Sequence, residues 1–255
     1  MDVLPAQIQL PSAAIDRRHA PPERPYKNYK ACLRWEFGFT CAFCLLTEAD
    51  VCEYSVERTG LFWIEHFLTR IAHPDHRNLY ANCLLSCRFC NNSREQTTHA
   101  GGLMGGLLDP TKESWAAHFY LEGDDAEYIR PNMADRDAIY TWETYRIDDP
   151  EKVARRRMRA QRLSRAIDAL DVLPGLATTL EMEACRATEP SVISERLRRA
   201  KAVREQLIEC RAIVRRYSAI PLTGAPAKCV CKTTPELSLP SWLAAQCRRI
   251  PIDAE

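Results

Sequence analysis

Two cysteine pairs, Cys41-x-x-Cys44 and Cys87-x-x-Cys90, frame a short run of residues able to bind metal and move protons. A two-residue spacer lets both sulfurs of one pair reach a single ion, and two such pairs complete a tetrahedron of thiolates. Each pair carries an aromatic at its third position, Phe43 and Phe89. The spacing predicts a structural Zn2+ held by Cys41, Cys44, Cys87 and Cys90, stabilising a module that could not bury enough apolar surface unaided. Between the pairs, Trp63-Ile64-Glu65-His66-Phe67 reads as an apolar strand ending in a carboxylate and an imidazole. Imidazole titrates near neutrality, so His66 is a candidate general base. Asn82 precedes the second pair, while Asn91 and Arg94 follow it at a three-residue step that places them on one helix face.

In order and spacing this run resembles the HNH endonuclease family: Cys-x-x-Cys, Glu65-His66-Phe67, then Asn82-x-x-x-x-Cys87-x-x-Cys90-Asn91-x-x-Arg94. Leu33-Arg34-Trp35-Glu36-Phe37, Asp109-Pro110 and Trp115-x-x-His118-Phe119 extend the likeness to stand-alone bacterial HNH proteins. The resemblance implies a ββα-metal module that hydrolyses phosphodiester bonds of DNA. Glu65 and Asn91 would ligate one catalytic Mg2+ or Mn2+, since oxygen donors suit hard cations. Asn82 would hold the catalytic loop and orient the base. Asn78, which also precedes a leucine, is its rival; the five-residue offset to Cys87 favours Asn82. Arg94 stands where lysine is usual and would clamp phosphate. By the same likeness the setting is anti-phage defence, with a partner ATPase or other defence protein. Two other readings remain open: a non-catalytic, zinc-stabilised module binding nucleic acid or protein, and an RNA-cleaving toxin using the same residues.

The elements that must position these residues fall in order along the chain. Residues 1–27, with five prolines, read as a flexible arm, and a helix is expected from Lys27 to Glu36. The nuclease module spans 28–108, ending in a glycine-rich stretch from Gly101 to Gly106, and an associated extension spans 109–150 with a strand at His118–Leu121. Residues 151–217 carry apolar stripes at helical spacing, Ala160, Leu163, Ile167 and Leu170, then Ile193, Leu197, Ala200, Val203, Leu207, Cys210, Val214 and Tyr217. They predict a helical hairpin, interrupted at Pro174-Gly175, whose second helix starts after Pro190 with Ser191 as cap; its stripes could also serve a homo-oligomer. Residues 218–255 read as a loop-rich tail with a short helix near Trp242. The fold class expected is α+β, a small ββα zinc module in a mainly helical chain.

Charge is unevenly spread. Residues 1–150 carry 15 Lys/Arg against 22 Asp/Glu, whereas 151–217 carry 16 against 9, a basic segment suited to phosphate. No secretory leader or apolar span is visible, so the 12 cysteines are expected in a reducing cytoplasm, where metal binding or burial is favoured over disulfides. Cys229-x-Cys231 with Cys247 has awkward spacing, and Cys32, Cys52, Cys83, Cys185 and Cys210 stand singly. All are read as structural, and His73 and His76 as solvated.

Overall fold

The computed structural model describes residues 2–3, 6–51, 62–96, 106–217, 231 and 248–249. Cys52, Cys229, Cys247, the glycines at 101–105 and the helix expected near Trp242 lie outside them. The chain is a mixed helix and strand protein with small antiparallel sheets and a long helical hairpin.

A 3-10 turn at Tyr26–Tyr29 leads into α1 (Lys30–Glu36), which buries Cys32, Leu33 and Trp35. The chain then turns through the first cysteine pair to α2 (Glu48–Val51). Strand β2 (Phe62–His66) pairs antiparallel with β3 (Cys83–Cys87), in a register that sets Phe62 opposite Cys87 and His66 opposite Cys83. Helix α3 (Arg88–Gln96) follows β3 without a break. A second two-stranded sheet joins β4 (Phe119–Glu122) to β5 (Tyr128–Pro131), after the short α4 (Trp115–His118). Helix α5 (Arg136–Thr144) starts at Asp135, whose carboxylate caps the Asp137 and Ala138 amides. Asp2–Val3 (β1) and Arg248–Arg249 (β6) form a third antiparallel pair.

One hydrophobic core runs from Ile8 and Ile15 through Phe43, Leu84 and Leu85 to Trp115, Ile129, Tyr145 and Ile147. The arm, the module and the extension therefore share a single interior. Residues 6–25 form no helix or strand, yet they are anchored: Arg17 donates to the carbonyls of Tyr80 and Cys83 and pairs with Glu36. Prolines deny this segment ladder hydrogen bonds but leave its apolar side chains able to pack. The extension is tied in equally well, with the Trp115 indole donating to the Phe43 carbonyl at 3.1 Å.

Helix α6 (Pro150–Arg186) is continuous through Pro174 and does not break at Pro174-Gly175 as the sequence predicts. A mid-helix proline costs about 3 kcal/mol. The apolar face outlasts it, because Ala177 and Ala184 continue the buried stripe begun by Leu163 and Ile167. The hairpin bend comes later, at 187–189, before α7 (Pro190–Arg216). Ser191 is not the cap: Pro190 occupies the first helical turn, where its missing amide hydrogen is no loss, and the Ser191 hydroxyl donates to Glu189. Leu163, Ala166, Ile167, Val214 and Tyr217 close the open end of the hairpin against Ala49 of α2. Among the described residues no helix is long and apolar enough to cross a membrane.

Candidate metal centre and adjoining cleft

The four cysteines of the two pairs converge. Cys41, Cys44, Cys87 and Cys90 are fully buried, and their sulfurs all lie within 4.8 Å of one another. Local backbone explains the convergence. Leu45 adopts a left-handed φ of 58°, reversing the chain after Cys44, and its amide donates back to the Cys41 carbonyl at 3.2 Å. The Ala42 amide donates to the Leu85 carbonyl at 2.8 Å, which fixes the first pair beside β3. On the other side, Cys87 ends β3 and Cys90 lies one helical turn on. A tetrahedral thiolate site with bonds of ~2.3 Å has sulfur–sulfur edges of about 3.8 Å. The Cys44–Cys87 separation is 3.6 Å, so the donor set fits a zinc-type ion.

The electrostatic surroundings favour anionic sulfur. Burial pushes the Cys87 and Cys90 thiols well up, and the neighbouring Cys41 and Cys44 sulfurs add to this for both, whereas hydrogen bonds from Cys44, Cys87 and Cys90 outweigh burial at Cys41 and hold it well down. Two fully buried cations from α6 face the cluster. Lys152 donates to the carbonyls of Tyr145 and Arg146. Burial alone would lower its pKa, but the four cysteines outweigh that and raise it. Arg156 donates to the Cys44 carbonyl at 3.3 Å and pairs with Asp148 at 2.7 Å. A dication on four thiolates carries a net charge of −2, which Lys152 and, beside its Asp148 partner, Arg156 partly offset.

A cleft of about 800 Å³ opens beside this cluster. Its walls include Glu65 and His66 from β2, Asn91 and Arg94 from α3, and the cations Lys27, Lys30 and Arg70. Helix α3 thus serves both places. Cys90 points to the sulfur cluster, while Asn91 and Arg94, one turn apart, reach the cleft. Holding the cysteines fixes the helix that presents the asparagine.

His66 is nearly buried, and its Nε2 lies 2.9 Å from the Arg77 carbonyl. A carbonyl can only accept, so Nε2 carries the hydrogen and Nδ1 keeps its lone pair. Tyr26 packs edge-on against the ring at 4.7 Å. Burial lowers the His66 pKa; the Arg77 carbonyl opposes this, and the Arg70, Arg77 and Arg94 charges reinforce it. Of the two candidate loop residues, Asn82 makes the clamp. Its amide accepts from the Leu68 N–H at 2.7 Å and donates to the carbonyls of Leu68 and His76, at 3.0 and 3.1 Å. Those bonds gather the 68–82 loop so that the next carbonyl, Arg77, meets His66. Asn78 accepts from the Tyr26 amide instead. His73 is exposed, His76 half-buried, and His118 lies against the Asp135 carboxylate that caps α5.

Arg94 is placed differently from a phosphate clamp at a surface. It is 7% exposed, pairs with Glu65, and donates to the carbonyls of His66 and Phe67 and to the Tyr145 hydroxyl. Its guanidinium braces the end of β2 and the Glu65 carboxylate. Arg94→Met should therefore destabilise the fold by about 3–5 kcal/mol, because the half-buried Glu65 carboxylate loses this cation and the carbonyls of His66 and Phe67 lose a donor. Urea unfolding measures this, and Glu65→Gln/Arg94→Met should recover part of the loss.

The basic segment also differs from a uniformly charged face. Lys152, Arg156 and Arg159 are interior, Arg159 pairing with Asp50 at 2.8 Å. Outside, Arg198 and Arg199 pair with Glu195, and Arg204 with Glu181. The cations lining the cleft come instead from Lys27, Lys30 and Arg70, which lie outside that segment. Sequence spacing alone missed one grouping altogether, that of His19, Cys32 and Cys231. No protein-family model, curated protein or solved structure matches the chain, and the chemistry of the site stands on its own geometry.

Proposed function

We propose that the chain is a metal-dependent endonuclease of the HNH type, acting on DNA, with β2, β3 and α3 as its ββα unit. The observation that carries this reading is one cleft holding an acid, an oriented imidazole and a helix-borne amide, beside a four-cysteine cluster that fixes the helix. His66 takes a proton from water at Nδ1, its other nitrogen being occupied by the Arg77 carbonyl. Glu65 and Asn91 are the oxygen donors for a Mg2+ or Mn2+ ion, which when bound supplies charge stabilisation at the phosphoryl oxygens. The Arg94 pair is compatible with that role, because a carboxylate offers about four acceptor positions. Lys27, Lys30 and Arg70 attract the phosphate backbone towards the cleft. The four-cysteine cluster holds Zn2+ and keeps the unit folded.

Asn82 acts through the loop and not on substrate. Asn82→Ala should lower the cleavage rate about 10–100-fold, the range typical of outer ligand-orienting groups. Asn78→Ala should change it far less. Single-turnover cleavage of plasmid DNA by the two variants measures the difference.

The ion pair of Glu65 with Arg94 favours a second reading, a non-catalytic zinc module that binds nucleic acid, because the pair neutralises the carboxylate a metal would use. Incubation of the full chain with plasmid, single-stranded DNA and transfer RNA, in Mg2+, Mn2+, Ni2+ or EDTA, separates the readings. DNA cleavage abolished by EDTA supports the nuclease. Cleavage of transfer RNA alone assigns the site to an RNA-cleaving enzyme. Binding without cleavage in every metal supports the non-catalytic module.

A further inference from the structure

Away from the cleft, three donors of a second kind meet. The Cys231 sulfur lies 3.4 Å from His19 Nδ1 and 3.6 Å from the Cys32 sulfur, and the three ligand atoms all fall within 4.8 Å of one another. They come from remote parts of the chain: the anchored N-terminal segment, α1, and the stretch beyond α7. His19 and Cys32 are buried, and Cys231 is half-buried.

Two of the donors are held by contacts outside the cluster. The backbone amide of His19 donates to the buried Glu36 carboxylate at 3.0 Å, and that carboxylate also accepts from Tyr80 at 2.7 Å. Cys32 is fixed by the helical backbone of α1. In sequence Cys231 lies between α7 and β6, and β6 pairs with β1 near the N-terminus. The observed separations are close to the edges of a tetrahedron built on zinc bonds of ~2.0–2.3 Å, about 3.5–3.8 Å. Thiols are weak hydrogen-bond partners, so simple polar satisfaction gives little reason for two of them to converge on an imidazole. The charge also balances: a dication with two thiolates and a neutral imidazole has no net charge. This site can thus do without the buried cations that face the first cluster.

We infer that His19, Cys32 and Cys231 form a second metal site for a soft dication such as zinc, clipping the C-terminal segment onto the N-terminal segment and α1. Three protein donors leave one corner of the tetrahedron for water or another ligand. The inference is independent of nuclease activity.

Metal analysis of the full chain, purified under reducing conditions without chelator and washed with Mg2+, tests it. Wild type should contain two equivalents of zinc, and Cys231→Ser and His19→Gln one each, with unchanged far-ultraviolet circular dichroism. Cobalt substitution gives a second readout, because Cys231→Ser should lose part of the thiolate-to-cobalt absorbance while the four-thiolate spectrum persists. A wild-type chain holding one equivalent overturns the inference. So does a Cys231→Ser chain that keeps two, or peptide mapping that finds a Cys32–Cys231 disulfide.

Discussion

His66→Ala should abolish cleavage of supercoiled plasmid in Mg2+ or Mn2+, lowering the rate about 10²–10⁴-fold, the usual contribution of a general base. Zinc content and circular dichroism should stay at wild-type levels. The separation is expected because, among the described residues, the imidazole makes one polar contact, to the Arg77 carbonyl, and one edge contact, to Tyr26, neither of which carries the core. The loop that supplies the carbonyl is held by Asn82 through three bonds that do not involve His66. A small truncation therefore removes the proton acceptor and leaves its setting in place. His66→Ala cutting as fast as wild type, with the metal requirement intact, would exclude His66 as the base. A variant that loses zinc along with activity would instead give the residue a folding role.

Stripping the four-cysteine cluster should have the largest effect on stability. Structural zinc contributes about 10–16 kcal/mol of apparent binding free energy in small thiolate modules, more than the whole stability of most domains. In this chain the four sulfurs sit inside the shared core, near the stacked rings of Phe43 and Tyr145, 3.6 Å apart. The buried cations Lys152 and Arg156 also lose the negative charge they face. Cys90→Ser, or a strong chelator in mild denaturant, should therefore remove the cooperative thermal transition of the core and not merely loosen a loop. The helices of the hairpin have their own interface and should retain much of their circular dichroism signal. Differential scanning calorimetry with and without chelator provides the measurement. An unchanged transition after complete metal removal would show that the cysteines are ordinary packing residues.

How far the site was legible depended on the range over which its determinants act. The first cysteine cluster was readable because each half is set within four residues, and two short spacers restrict where the sulfurs can go. Asn82 could be preferred to Asn78 by its offset from Cys87, and the clamp on the 68–82 loop shows what that offset positions. Arg94 was legible as a member of the right helix face and not as a buried brace. Its partners Glu65 and Tyr145 lie 29 and 51 residues away, and burial is a property of the assembled core. Pro174 shows the same limit for local structure, since a residue that breaks an isolated helix is tolerated where the helix packs along a partner.

The amino-acid sequence by itself determined the identity and order of the donors, the helical periodicity of residues 151–217, and the short knuckles that bring cysteines together in pairs. These are properties of bonded neighbours and helical steps, which need no knowledge of what packs against them. Tertiary structure alone decided that the proline-rich segment joins the core, that Lys152, Arg156 and Arg159 of the basic segment are interior, and which cations line the cleft. It alone placed His19, Cys32 and Cys231 together across separations of up to 212 residues. Contacts at such distances depend on how whole elements dock, because burial and charge pairing are settled by the summed packing of the chain and not by any local stretch of it.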